Sequence, residues 1–425
     1  MEVAKYEILI VLLISIVTCV SGSTIVPSVQ KYCEFSSEQK IIEERIIKDF
    51  DDNEFKLYEL ESGYAIYGVF DNKETFIEGS YETHSPYKFY KDYELRYLGP
   101  GNYFYINQDK TYDILEQCVI EDDLQTASYL LNEKVVMQTK GSSNKPDPNE
   151  TTTDTNGYTV VKRAQYFKNL TAFPQNWFGE CGLVALSIML SYYDTFYNDN
   201  FIPNNKEYDA RYYIKKTRSG GSDYELDYTR LENLTKFGST NYNASGSYSY
   251  ANWSKMPGTT YAMRDYLFDK YMHTFAGVGW ESKGYPMLDG ELASTLKDYM
   301  KDNCSSLQKD IKINHGSLFY THARPKEYIN KGLPTCLVLQ KYNATIDSGK
   351  AHVVVAYGHK DDKFLAHFGW WPGDKSSAAV VINSATIYGY FTIEYTGQHV
   401  HSSNVRAYSN GQNYGICGCG YSQAV

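Results

Sequence analysis

This 425-residue chain contains a run of 17 residues, from Gly141 to Gly157, with no apolar side chain other than two prolines. A run of this kind cannot contribute to a hydrophobic core, so it predicts a flexible linker between two separately packed parts. Residues 23–150 carry 25 acidic and 13 basic side chains, net −12, whereas residues 151–425 carry 24 and 27, net +3. This contrast suggests that the first part docks on the second. The predicted division is an acidic domain over 23–140, a linker over 141–157 and a second domain over 158–425.

The sequence at the amino terminus predicts that the protein is exported. Ile8 to Val20 is an apolar run of 13 residues followed by Ser21-Gly22, which is shorter than the roughly 20 residues of a membrane span. We therefore expect a secretory signal over residues 1–22 and a secreted protein with no stable membrane association. Because Glu2 and Glu7 are unusual in a signal, a retained N-terminal anchor is the alternative. The overall charge of −10 argues against a nucleic-acid partner.

Hydrophobic periodicity predicts an α+β fold in both domains. In the first domain we expect a helix over Ser37–Ile47, because its isoleucines recur at helical spacing, and then strands over Phe55–Phe70 and Tyr93–Ile106. In the second domain Cys181–Tyr193 predicts a helix buried on most sides, and residues 204–258 suit a polar surface insertion. The remaining predicted elements are helices over Thr259–Met272 and Leu288–Asp302 and strands over Leu337–Gln340, Ala351–Tyr357, Phe364–Trp370, Ala379–Asn383 and Tyr388–Tyr395.

Cys181 is the sharpest candidate for chemistry. A cysteine in the first turn of a buried helix meets unpaired backbone N–H groups and the positive end of the helix dipole, which favour the thiolate. Acyl transfer also needs a donor for the developing oxyanion, and the Gln175 amide, six residues upstream, is the candidate. The alternative is a buried structural cysteine.

His352 is the candidate base, because it opens the apolar strand that runs to Tyr357. If Gly358–Lys363 is a hairpin loop, Val354 pairs with His367, which then lies on the face of His352 as its diagonal neighbour and can orient it. A register shift of one residue would turn His367 to the other face. The alternative for His352 is a core histidine bound to a backbone carbonyl.

These motifs resemble papain-fold cysteine peptidases. The segment Glu180-Cys181-Gly182-Leu183-Val184-Ala185 is similar to the Cys-Gly motif of bacteriocin-leader-type peptidases, and Ala351-His352-Val353 with His367-Phe368-Gly369-Trp370 resembles streptopain-type enzymes, in which Asn-Trp-Gly-Trp follows the catalytic histidine. In the first domain, Glu61 to Tyr67 and Ser85-Pro86-Tyr87 resemble the propeptides of such enzymes. The resemblance implies a papain-like fold with Cys181 as nucleophile, His352 as general base and acid, and Gln175 as oxyanion donor.

The chain departs from this family at the third catalytic position. The family's asparagine corresponds to His367, so the third member is His367 or one of Asp361, Asp362 and Asn383. An aromatic shield for the histidine pair is expected at Trp370. The 171 residues between Cys181 and His352 exceed the papain-like spacing of about 130–150, and the insertion at 204–258 accounts for the excess.

The remaining motifs are weaker indications of function. His399-Val400-His401 could start a metal site but lacks an evident third ligand, so we expect no metal and no cofactor. Lys162-Arg163 is a dibasic pair that could be a processing site. The number of cysteines predicts disulfides. If Cys19 is removed with the signal and Cys181 is the nucleophile, two cysteines remain in the first domain and four in the second, and both numbers are even. The six are Cys33, Cys118, Cys304, Cys336, Cys417 and Cys419.

The predicted function is a secreted cysteine endopeptidase made as a zymogen, with a polypeptide substrate and its own acidic domain as intramolecular inhibitor. Two alternatives remain open at this point. One is an amidase or acyltransferase of the same fold, which would use the same cysteine and histidine. The other is a catalytically inactive surface-binding module, with the Tyr-rich insertion as its binding face.

Overall fold

The computed structural model describes most of two large blocks of the chain. The described residues are 32–70, 73–115, 118–120, 150–169, 181–198, 200–202, 215–216, 224–225, 267, 289–317, 323–339, 352–369, 378–400, 405–409, 412–416 and 422–424. Several predictions fall wholly or almost wholly outside them: the signal over 1–22, Gln175, the insertion over 204–258, the helix over Thr259–Met272, Trp370, His401, Cys417 and Cys419.

The fold is α+β, with many strands and few helices. The helices among the described residues are α1 (Ala164–Asn169), α2 (Cys181–Phe196), α3 (Asp289–Asn303) and α4 (Ala323–Asn330). The strands up to residue 120 are β1 (Tyr32–Cys33), β2 (Ser36–Lys48), β3 (Glu54–Leu60), β4 (Tyr64–Phe70), β5 (Lys73–Ser80), β6 (Glu94–Tyr97), β7 (Tyr103–Asn107), β8 (Lys110–Asp113) and β9 (Cys118–Ile120).

The later strands are β10 (Thr151–Thr153), β11 (Thr159–Val161), β12 (Lys215–Lys216), β13 (Tyr224–Glu225), β14 (Ile311–Ser317), β15 (Thr335–Leu339), β16 (His352–Lys360), β17 (Lys363–His367), β18 (Val380–Asn383), β19 (Ile387–Tyr395), β20 (Val405–Ser409), β21 (Gln412–Ile416) and β22 (Ser422–Ala424). Short 3₁₀ helices cover Ser305–Asp310 and Ser384–Thr386. The predictions of helices starting near Cys181 and Leu288, and of the five strands between 337 and 395, are confirmed to within a few residues at their ends.

One sheet runs through both halves of the chain. Its central strands pair antiparallel in the order β14, β19, β15, β16, β17, β18. The edge of β18 then pairs antiparallel with β5, which continues through β4 and β3 to β2. We call the described residues of 32–120 the N-terminal block and those of 150–400 the C-terminal block. The two blocks thus share a continuous sheet.

The helix predicted over Ser37–Ile47 is wrong, because this segment is strand β2. Its residues alternate between the inside and the outside of the sheet, so Ile47 is 1% exposed while Ile42 and Ile46 are 57% and 48% exposed. Isoleucine is β-branched and favours strands. Pairing along β3 therefore outweighs the helix-like spacing of the isoleucines.

The end of the predicted linker is ordered. Residues 151–153 form β10 and pair with β11, and β11 pairs in turn with the far end of β16. The turn between β10 and β11 is fixed by Asp154, whose Oδ1 accepts hydrogen bonds from the backbone N–H groups of Asn156 and Tyr158 at 3.0 and 2.9 Å. This hairpin is therefore part of the C-terminal block.

Aromatic packing holds α2 on the sheet. The ring of Phe167 in α1 stacks on Tyr192 of α2 and on Tyr357 of β16, each with ring centroids 5.0 Å apart. Every residue from Cys181 to Asp194 is buried, which confirms the expectation of a helix buried on most sides. Apolar burial on all faces keeps α2 packed against β16.

Four of the described cysteines are not in disulfides, namely Cys33, Cys181, Cys304 and Cys336. The absence of a disulfide at Cys181 suits a nucleophile. None of the other three is bridged within the described part of the chain, and the disulfides expected for them stay a prediction, since Cys417 and Cys419 lie outside it. These three lie in β1, at the end of α3 and in β15, and Cys304 instead donates its thiol hydrogen to the carbonyl of Phe201 at 3.1 Å. None of the helices in the described part of the chain is long and apolar enough to cross a membrane.

Candidate active site

Cys181 is the first residue of α2 and is 2% exposed. At this position the thiol lies beside the backbone N–H groups of the first helical turn, which have no partner within the helix. The positive end of the helix dipole lies there as well. Local structure therefore supplies the electrostatic environment that the sequence predicted for a nucleophilic cysteine.

His352 is the first residue of β16 and is 5% exposed. Its Nε2 lies 3.1 Å from the carbonyl oxygen of Phe368, and the two rings pack with centroids 5.4 Å apart. A carbonyl oxygen can only accept a hydrogen bond, so Nε2 carries the proton and Nδ1 is the unprotonated nitrogen of the neutral ring. The residue has the tautomer that a general base working through Nδ1 needs.

Burial keeps this imidazole neutral. Desolvation lowers the pKa of His352 to about 3, and the hydrogen bond to the Phe368 carbonyl opposes this shift only in part. A charged imidazolium would lose its hydration in this position, whereas the neutral ring does not. In the conformation described here, the histidine is a neutral base and not half of an ion pair.

Gly369 brings the two candidate residues into one region. It has a φ of +75°, and a Cβ at this position would lie 2.8 Å from Cγ1 of Val184. Val184 is three residues after Cys181 and therefore lies on the same side of α2. The segment that holds His352 through the Phe368 carbonyl thus contacts the first turn of α2 directly.

His367 lies on the other face of the sheet. It pairs with Val355, not with Val354 as the hairpin model predicts. Directly opposed residues share a face, and side chains alternate along a strand, so His367 shares the face of Val355 and His352 lies on the opposite face. His367 is 1% exposed, and its Nδ1 accepts the backbone N–H of Gly369 at 2.9 Å.

The register differs from the prediction because Gly358 is not in the turn. Lys360 pairs with Lys363, so the loop is only Asp361-Asp362, and the ladder shifts between Ala356 and Gly358. A Cβ on Gly358 would lie 2.7 Å from Cγ1 of Val160 in β11. The glycine allows the close approach of a neighbouring strand, which sequence alone does not distinguish from a turn.

The other proposed third members lie at the far end of β16. Asp361 and Asp362 form the turn after Lys360, and Asn383 pairs with Lys363 beside that turn. At about 3.3 Å per residue, nine residues of strand separate this end from His352 by roughly 25 Å. These side chains therefore do not reach the His352 imidazole, and the Phe368 carbonyl takes the orienting position.

Sequence reasoning missed Phe368 and Gly369. The Phe368 carbonyl belongs to the main chain, so no residue type signals it. The signal for Gly369 was its place between two aromatic residues, Phe368 and Trp370. A glycine there avoids the strain of positive φ.

No protein-family model, curated protein or solved structure matches the chain. Among the described residues, no group of three or more histidine, cysteine, aspartate or glutamate side chains is arranged to hold a metal ion.

Proposed function

We propose that the chain is a papain-like cysteine endopeptidase, secreted as a zymogen. The observation that carries this proposal is the orientation of His352, whose Nε2 donates to the Phe368 carbonyl beside the first turn of α2. In this tautomer Nδ1 is the ring nitrogen that can accept the proton of a cysteine thiol at the start of the helix. Cys181 is the described cysteine that occupies this position.

The proposed reaction proceeds through a thioester. Nδ1 of His352 takes the proton of the Cys181 thiol, and the thiolate attacks the scissile carbonyl. The imidazolium then gives this proton to the leaving amine as the C–N bond breaks. Water, deprotonated by the same nitrogen, attacks the thioester and releases the acid together with the free thiol. The Phe368 carbonyl holds the ring in one orientation through both steps.

The described conformation is closed. Cys181 and His352 are 2% and 5% exposed, so a polypeptide cannot reach the thiol without a rearrangement. Water entering the site would also raise the pKa of His352 towards its ordinary value, because desolvation is what lowers it. A closed site is consistent with an inactive precursor that needs activation.

The same burial favours a second candidate, a catalytically inactive surface-binding module in which Cys181 and His352 are core residues. A histidine that stays neutral and binds a backbone carbonyl is a usual way to satisfy a buried imidazole. In that case no opening of the site would occur. The amidase or acyltransferase alternative uses the same two residues and differs from the peptidase only in its substrate.

Labelling and turnover distinguish these functions. After processing, an irreversible epoxide inhibitor of thiol proteases is expected to modify Cys181 and to abolish casein hydrolysis. Cys181→Ala should lose labelling, casein hydrolysis and self-processing, whereas Cys304→Ser, which changes another buried free thiol and keeps a donor for the Phe201 carbonyl, should retain all three. An unreactive Cys181 in the processed protein would favour the binding module, and labelling without proteolysis would favour the amidase.

A further inference from the structure

The two blocks of the chain are joined by strand pairing. In the ladder between β5 and β18, Gly79 is opposite Val381 and Glu78 is opposite Ile382. On its other side β18 pairs with β17 over four residues. β18 is therefore an interior strand only as long as the N-terminal block is in place.

Side chains reinforce this junction from both directions. Ser80 Oγ donates to the carbonyl of Ala379 at 3.1 Å, and Asn383 Nδ2 donates to the carbonyl of Phe76 at 3.0 Å. The ammonium of Lys363 lies 5.5 Å from the centroid of the Phe76 ring. These contacts lie at the two ends of the ladder and fix its register.

The junction is as buried as the centre of a domain. Val381 and Ile382 on β18 are both 0% exposed, and so are Glu78 and Ser80 on β5. Removal of β5 would leave one side of β18 with unpaired backbone groups and exposed apolar side chains, which is the edge that soluble proteins avoid. Loss of the N-terminal block would therefore destabilise the C-terminal block by exposing the β18 edge, whereas retention of the N-terminal block keeps this edge covered.

The covalent connection between the blocks is not needed for this pairing. The hairpin of β10 and β11 is tied to β16 within the C-terminal block, with Val160 opposite Gly358. A chain break before residue 150 would therefore leave both the hairpin and the junction between β5 and β18 intact.

We propose that the N-terminal block is a permanent second chain of the processed protein, held by strand addition to the edge of β18, and is not a propeptide that is shed. The partner surface is the β18 edge, and its occupant is β5 of the same molecule. This inference goes beyond the catalytic proposal and does not require it, since it concerns only how the blocks hold together.

The test uses the full chain carrying Cys181→Ala, so that self-cleavage plays no part. A recognition sequence for a site-specific protease is inserted after Gly141, and the purified chain is cut there. On size-exclusion chromatography at about 1 μM, where a weak pair would dissociate, the two fragments are expected to elute together at the position of the uncut chain. Separate elution of the fragments, or precipitation of the larger one with the smaller left in solution, would overturn the proposal.

A matched pair of variants tests the junction itself. Asn383→Asp keeps the oxygen that accepts the N–H of Ala385 but places a carboxylate against the Phe76 carbonyl, and it is expected to raise the dissociation constant of the cut fragments at least about tenfold. Asn303→Asp removes an equivalent amide donation, to the Tyr299 carbonyl at 3.1 Å within α3, and should leave retention unchanged. Equal retention for both variants would contradict the assignment of the junction.

Folding of the uncut variants is checked by thermal unfolding before cleavage. If Asn383→Asp does not fold, Lys363→Met replaces it, because this change removes the cation above the Phe76 ring together with the ion pair to Asp362 in the turn after β16. Hydrogen exchange gives a second readout on the parent chain. The amides of β18 are expected to exchange equally slowly before and after the cut, and rapid exchange after the cut would also overturn the proposal.

Discussion

At the scale of single residues, the proposed nucleophile and the proposed base both stand out in the sequence, because each places a reactive side chain in an apolar segment. Cys181 opens an apolar helix and His352 opens an apolar strand. The group that orients His352 was not predictable, since it is the main-chain carbonyl of Phe368. A carbonyl is present at every residue, and only the three-dimensional path of the chain selects one.

The assignment of His352 as base gives a residue-scale prediction. His352→Gln keeps an amide that can donate to the Phe368 carbonyl but has no group that takes up a proton near neutral pH, so kcat/KM on a casein-derived peptide should fall at least about 100-fold. His359→Gln is the control, because His359 lies on the same strand with its Nε2 2.8 Å from Oδ1 of Asn330, at the far end from Phe368. The control should keep its activity, and an active His352→Gln enzyme would show that the base is elsewhere.

At the scale of elements, the positions of strands were easier to predict than their partners. The pattern of apolar residues predicted the positions of β15 to β19 to within a few residues. The register of the hairpin of β16 and β17, however, depends on the contact of Gly358 with Val160, which lies almost 200 residues upstream. The helix predicted for the β2 segment was wrong for a related reason. Its isoleucines fit a helical spacing locally, and only the pairing with β3 makes the strand the better solution.

Gly369 gives an element-scale prediction. Gly369→Ala places a methyl group 2.8 Å from Val184 Cγ1 at a φ of +75°, so we expect a loss of about 1–3 kcal/mol in the free energy of unfolding and a lower kcat as the Phe368 carbonyl shifts. Gly290→Ala is the control, because nothing lies within 4 Å of its added methyl in α3. An alanine there should be neutral or stabilise the helix by up to about 1 kcal/mol. Urea unfolding and peptide hydrolysis of both variants measure the difference, and equal stability would contradict the tight contact.

At the scale of the whole molecule, composition indicated two parts but not how they meet. The charge contrast suggested electrostatic docking of an acidic part, whereas the described junction consists of backbone pairing between β5 and β18, neutral hydrogen bonds and one cation above an aromatic ring. Sequence cannot show this, because an edge strand and an interior strand have the same apolar pattern. The acidic charge of the first part therefore has to be explained by something other than this junction.

One buried carboxyl on β5 makes the stability of the N-terminal block dependent on pH. Glu78 on β5 is fully buried, and its Oε1 accepts hydrogen bonds from Tyr64 and Tyr103 at 3.1 and 2.7 Å. Burial raises the pKa of Glu78 to about 7, and the tyrosine hydrogen bonds oppose the shift. The folded state therefore favours the protonated form.

The sign of the resulting pH dependence follows from the two pKa values. In the unfolded chain Glu78 titrates near 4.5, so its stabilising contribution is complete below that pH and is lost as the pH rises through about 7. The loss is on the order of 3 kcal/mol between pH 4 and pH 8. Because β5 connects the N-terminal block to β18, melting of the block at high pH would also expose the β18 edge.

Glu78→Gln is expected to remove this dependence. The amide oxygen can still accept from Tyr64 and Tyr103, and the side chain has no proton to lose, so calorimetric unfolding midpoints at pH 5 and pH 8 should move closer together than in the parent chain. Glu74→Gln is the matched control on the same strand, since Glu74 is partly exposed and paired with Lys56. The control should keep the parent's pH dependence. A parent chain whose N-terminal block is equally stable at pH 5 and pH 8 would show that Glu78 ionises without cost and that the junction is not sensitive to pH.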